Sequence, residues 1–152
     1  MDLVRSIDAV SQALATGGIS AALAYLNANV PHRYTAVYRL DGPFLHNAFL
    51  HDKELKRRPA YLAVIPFDQS YCQFVVRDGF FRTDDSAADL RLKGHPYQGL
   101  VVSYHSVPLL GTTGKLWGTL SHFDVKKHPL SDEEFELLRG AAQLLPGYLI
   151  ER

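Results

Sequence analysis

Cys72 is the only thiol in a chain of 152 residues, and it falls in the first turn of a predicted helix over 68–77. A helix N-terminus stabilises anions and lowers a thiol's pKa. Cys72 is therefore a candidate reactive or ligand-attaching thiol. The plainer reading is a small side chain packed under a sheet, because free cysteine is among the most buried residue types. The same turn, Gln69-Ser70-Tyr71-Cys72, exposes backbone N–H groups that could hold a carboxylate or phosphate unless Asp68 already caps them. His105 and His122 stand on adjacent predicted strands, where two imidazoles could face one pocket and bind a metal or haem. Ordinary hydrogen-bonded histidines are the competing reading, and strand register decides between them. His32, His46, His51, His95 and His128 lie near predicted turns or strand ends and read as surface residues. Tyr38, Phe67, Tyr71, Phe74, Tyr104 and Phe123 are potential pocket walls; such residues also serve as plain core. Asp124 reads as a turn or surface residue, and Gly118, inside a strand, as a point of close backbone packing.

A sheet must position these groups. Residues 101–110 and 115–125 are rich in β-branched and aromatic side chains, and Gly111-Thr112-Thr113-Gly114 lies between them. That spacing predicts an antiparallel hairpin. Apolar residues at successive positions, such as Val101-Val102, imply that both faces of these strands are covered. Residues 33–40 and 44–50 form a second predicted hairpin around Asp41-Gly42-Pro43. Ahead of it, Leu3, Ile7, Val10 and Leu14 share one helical face, Gly17-Gly18 interrupts, and Ile19, Leu23, Leu26 and Val30 define a second helix. The segment 51–66 reads as a charged loop leading into an apolar, buried stretch, and 80–83 as a short strand. Ser131 with Glu134 three residues on predicts a capping box, and Pro146 predicts a kink or stop.

Composition narrows the function classes. The chain has 47% hydrophobic and 21% charged residues, and its 16 basic residues balance its 16 acidic ones. This is the profile of one globular domain over 1–152, and it argues against an extended nucleic-acid surface. The local excess at Lys53, Lys56, Arg57 and Arg58 reads as a solvated loop. One thiol, no uninterrupted apolar span and no signal-peptide pattern predict a cytoplasmic protein away from the membrane.

The segments 66–79, 103–109 and 114–124, together with Leu130-Ser131-Asp132-Glu133-Glu134, resemble the GAF domain family, in its short bacterial form. The resemblance implies an α+β, GAF/PAS-like fold: an antiparallel five- or six-stranded sheet flanked by helices on both faces. It also implies a ligand pocket between one sheet face and residues 51–83. Members of the family bind small molecules or chromophores, or dimerise through terminal helices. The expected function is a sensory or regulatory module that binds a small molecule and signals through a homodimer or a partner protein. Its expected contacts are Phe67, Ser70, Tyr71, Cys72, Phe74, Tyr104, His105 and His122. The alternatives are a redox enzyme or thiol sensor using Cys72, and a haem or bilin carrier. The branch that reduces free methionine-R-sulfoxide uses several cysteines, and here a resolving disulfide could not follow attack by Cys72. No catalytic residue, metal-ligand set or cofactor is assigned.

Overall fold

The computed structural model describes residues 5–149. The elements run α1 (Ile7–Asn27), β1 (Tyr34–Asp41), β2 (Phe44–Asp52), β3 (Val64–Pro66), α2 (Cys72–Asp78), β4 (Phe81–Thr83), β5 (Ser103–Leu110), β6 (Leu116–Asp124), α3 (Asp132–Leu144) and α4 (Pro146–Leu149). Short 3-10 turns punctuate the connections at Ala60–Leu62, Phe67–Gln69, Ser86–Ala88 and Leu90–Leu92. The strands form one antiparallel sheet in the order β3-β2-β1-β6-β5-β4. This is the predicted α+β architecture with six strands. The two hairpins β1–β2 and β5–β6 meet along β1 and β6.

Side-chain alternation divides the sheet into two faces. Val37, Val107, Leu109 and Leu120 face α1 and α3 and join Val10, Leu14, Leu23, Leu26, Leu138 and Leu145 in one core. Tyr34, Ala36, Tyr38, Tyr104 and Phe123 face the other way and pack with α2 and with Leu62, Phe81 and Leu92 in a second. Both faces of β5 and β6 are thus buried, as their apolar runs predicted, and so are both faces of most of β1.

The two predicted N-terminal helices form one element bent at Gly18, whose φ of 73° and ψ of −160° leave the helical region. By length and composition Ile7–Asn27 suffices to cross a membrane, although no uninterrupted apolar run was expected there. Here it is a core helix. Its N-terminus is set by Ser6, whose hydroxyl accepts from Ala9 N–H. Val10 and Leu14 are buried within the chain's own core, and Leu3 lies outside the described residues, so the stripe expected at a dimer interface is largely consumed internally.

Three local expectations are corrected. Asp68 does not start a helix: it lies in a 3-10 turn, and α2 begins at Cys72 behind Tyr71, with no side-chain cap. The capping box is half formed, because Ser131 Oγ accepts from Glu134 N–H while the Glu134 carboxylate turns away to Arg5 at 2.8 and 3.0 Å. Arg5 in turn donates to Tyr25 and Leu26 carbonyls, which ties the start and end of α1 to α3. The apolar stretch before Pro66 is not wholly buried: it carries the edge strand β3, with Val64 exposed, which pairs with β2 only over Phe44, Leu45 and His46.

Gly118 is the tightest point of the β1–β6 junction. A Cβ there would lie 1.9 Å from the Tyr38 carbonyl oxygen and 3.1 Å from Arg39 Cα, so backbone would have to move. Gly118→Ala is expected to cost more than about 3 kcal/mol, read as a lowered urea midpoint. A variant that unfolds with the unsubstituted chain would refute this packing.

Candidate functional site

The second core encloses a cavity between the sheet and α2. It is walled by Tyr38, Tyr71, Tyr104 and Phe123, with Leu62 and Cys72 among the smaller lining groups, and its volume is about 40 Å³. β1 supplies Tyr38, β5 Tyr104 and β6 Phe123, all through the same period-two alternation. The first turn of α2 and the residues before it supply Ser70, Tyr71 and Cys72.

The hydroxyls of Tyr38, Ser70, Tyr71 and Tyr104 and the Cys72 thiol around this cavity are engaged by protein. Tyr38 Oη donates to the Leu62 carbonyl at 2.6 Å, and Tyr71 Oη lies 2.8 and 3.0 Å from the Tyr97 and Val101 carbonyls. Ser70 Oγ donates to the Phe67 carbonyl at 2.7 Å. Cys72 Sγ lies 3.2 Å from Tyr104 Oη and 3.4 Å from Thr119 Oγ1. Ser121 Oγ donates to Tyr104 Oη and sits 2.7 Å from Ser106 Oγ, which continues the chain across β5 and β6. No charged side chain lines the space. Burial pushes the Cys72 thiol up, against smaller opposing effects of its hydrogen bonds. Burial likewise raises Tyr38, Tyr71 and Tyr104. The site is an apolar, neutral chamber, and its thiol is a packed side chain with the opposite electrostatic bias from the one the helix terminus suggested.

Of the eight expected contacts, Ser70, Tyr71, Cys72 and Tyr104 come together here. Phe67 packs at the margin and lines a separate open cleft with Leu40 and Phe44. Phe74 stacks on Phe81 with centroids 5.0 Å apart, behind the cavity wall. His105 and His122 are direct cross-strand partners, as adjacent strands allowed, but they point to the α1–α3 face, away from the chamber. Leu45, Leu62, Ile65, Tyr97 and Val101 complete the lining. The apolar character of residues 60–65 hinted at part of this roof. Nothing in the sequence singled out Tyr97, which lies in the loop before β5.

The opposite face holds a histidine cluster. His32 is fully buried, not on the surface, and its ring lies 5.0 Å from that of His105, 5.9 Å from His122 and 5.4 Å from His128. His105 Nε2 lies 2.9 Å from an Asp84 carboxylate oxygen, and His122 Nδ1 lies 2.6 Å from Thr35 Oγ1. Asn27 Nδ2 donates to Thr35 Oγ1 and to the His32 carbonyl, closing the network. Both His32 ring nitrogens, His105 Nδ1 and His122 Nε2 have no protein partner. Among the described residues no three histidine, cysteine or carboxylate side chains are arranged to hold a metal ion. Asp124 is buried beside this cluster, not a surface residue, and accepts from Arg33 N–H and Val125 N–H. Desolvation, then the neighbouring His105, His128 and Lys53, lowers His32 from 6.5 to about 3. Desolvation lowers His105 despite Asp84, and with His32 and His105 it lowers His122 well below the usual range.

No protein-family model and no curated protein matches the chain. Solved structures do. A free methionine-R-sulfoxide reductase from Neisseria meningitidis, in complex with its substrate, superposes with a TM-score of 0.74 at 17% identity, covering 97% of this chain and 93% of the other. The GAF domain of an Acinetobacter phosphoenolpyruvate-protein phosphotransferase gives 0.73 at 12% identity over 93% and 89%. A phycocyanobilin-bound GAF domain from a cyanobacterial phytochrome gives 0.69 at 16% identity over 96% and 97%. The fold is that of GAF domains.

Two outcomes are expected. The Cys72 thiol of the folded protein should react with a disulfide reagent at least about a hundred-fold more slowly than in urea, because it is buried and protonated; comparable rates would contradict the enclosed geometry. Acid should destabilise the fold. The unfolded chain binds protons at its histidines near 6.5 while folded His32 refuses them down to about 3, so stability is whole above pH 6.5 and lost progressively below it. At about pH 5 His32 alone accounts for about 2 kcal/mol, measurable as a fall in urea midpoint between neutral and acidic buffer that shrinks in His32→Asn.

Proposed function

We propose that this chain, with its GAF fold, is a ligand-sensing module whose guest is small, uncharged and apolar. The observation that carries the reading is the wall chemistry: five aromatic rings line the chamber, the hydroxyls of Tyr38, Ser70, Tyr71 and Tyr104 are spent on protein partners, and no charged side chain is in the lining. A carboxylate or ammonium would arrive with no partner and lose its hydration. An apolar guest loses only the water it leaves, and apolar cavities of this kind take up such guests. Two of the similar structures hold a small molecule, one a substrate and one phycocyanobilin. They support reading the fold as a host, but a chamber of about 40 Å³ is far below the ~300 Å³ at which typical ligand pockets begin. A bulkier guest therefore requires the roof formed by Leu62, Ile65 and α2 to lift.

The sensor reading is favoured over thiol chemistry by the single, buried, pKa-raised Cys72 and the absence of a second cysteine. It is favoured over haem or bilin ligation by histidine because His105 and His122 occupy the other face. The response passes to a second copy or to a partner. Exposed Ile7 and Tyr148 are available for that contact, whereas Val10 and Leu14 are committed to the core.

Benzene or indole should raise the melting temperature in a saturable way, while benzoate should not. Leu62→Ala, which enlarges the chamber, should lower stability by about 2–4 kcal/mol and tighten binding of benzene. Equal stabilisation by benzoate, or none by any apolar probe even in Leu62→Ala, would sink the proposal.

A further inference from the structure

We propose that the outer edge of β2 receives an extended acidic peptide segment of a partner protein. β3 covers β2 only from Phe44 to His46, and one further bond, Asn47 N–H to the Ala63 carbonyl, ends that pairing. Ala48 is a bulge: Val37 pairs with Phe49 and Tyr38 with Asn47, so nothing stands opposite the residue between. From Phe49 to Asp52 the strand pairs with β1 on one side and with no strand on the other. An unpaired strand edge presents main-chain donors and acceptors that another chain can complete.

Along this edge runs a slot of about 940 Å³, floored by Asn47 to Asp52 and walled by the loop carrying Leu55, Lys56, Arg57 and Arg58. The wall is prebuilt. Asp52 is buried and accepts from Arg33 Nε and Nη2 at 2.8 and 3.0 Å and from the backbone N–H of Glu54 and Lys56. Lys53 Nζ donates to the Asn27 carbonyl and Oδ1, and Arg58 donates to Asn47 Oδ1. A fixed wall spares a guest the cost of ordering it.

Two further features identify the occupant. Leu55 sits at φ 52° and is 86% exposed. Glycine would take that conformation without strain, so an apolar side chain is held into solvent at an energetic cost, beside the slot. The wall's charge is positive: Asp52 is neutralised by Arg33, Glu54 by Arg33 and Lys56, while Arg57 has no ion-pair partner among the described residues and Arg58 only an amide. A second copy of this chain would bring the same cations against them, so self-pairing is opposed. An acidic segment with alternating apolar side chains meets the cations and Leu55 together.

The test uses the full chain and a fluorescent peptide of about seven residues alternating glutamate and valine, long enough for its central residues to pair with the four-residue open edge from Phe49 to Asp52. Saturable binding that weakens with salt is expected, with amide shifts and slowed exchange confined to β2 from Phe49 to Asp52. The double variant Lys56→Glu, Arg57→Glu should bind at least about ten-fold more weakly. A peptide with a central proline should also bind at least about ten-fold more weakly, because it lacks a main-chain donor. Leu55→Gly relieves the strained φ, so its melting temperature should hold or rise while affinity falls; this separates recognition from folding. Equal binding of a lysine–valine peptide, binding that leaves those amides unmoved, or no binding of the acidic peptide would overturn the proposal.

Discussion

Everything in this molecule depends on the strict alternation of side chains along β1, β6 and β5. Because the central stretches of these three strands are buried on both sides, each buried apolar residue there belongs to one core or the other. Tyr104 and His105 are neighbours in sequence, yet one walls the aromatic chamber and the other enters the histidine cluster. Gly118 lets β6 approach β1 closely enough to hold that register. A slip of one residue would drive imidazoles into the chamber and tyrosines under α1.

The same alternation explains what could be read in advance. Hairpins, strand composition and doubly covered central strands follow from local pattern, so residues 101–125 were legible as β5 and β6. Cross-strand pairing of His105 with His122 was foreseeable as adjacency, but which core they face depends on which side α1 chooses. That is a tertiary outcome. His32 and Asp124 looked exposed because they sit at strand boundaries; they are buried because the chain folds back over them, with Asn27 at the end of α1 and Arg33 just before β1 supplying partners. Tyr97 joined the chamber without any periodic signal, since loop residues are positioned by distant contacts.

The region before α2 shows a local rule overridden. Asp68 has the chemistry of a cap, but the chain spends it in a 3-10 turn and begins the helix four residues later. The effect on Cys72 is a change of sign. A terminus open to solvent would favour the thiolate, whereas burial of this first turn favours the thiol, against the smaller opposing effect of the hydrogen bonds to Thr119 and Tyr104. Burial outweighs the helix dipole because removing a charge from water costs several kcal/mol, while a helix end returns about 1.

The hydroxyl chain from Cys72 through Tyr104 and Ser121 to Ser106 has one more property. The proton between Cys72 and Tyr104 can sit on either partner, so this link has two senses of polarisation with the same heavy-atom positions, while Ser121 donates to Tyr104 in both. The two senses differ in whether the S–H bond is donated to Tyr104 or left free of it. The lone sulfur reports which sense prevails: an S–H bond vibrates at infrared frequencies that no other group in this chain absorbs. The molecule thus carries its own optical gauge of this hydrogen bond, with no dye and no substitution required.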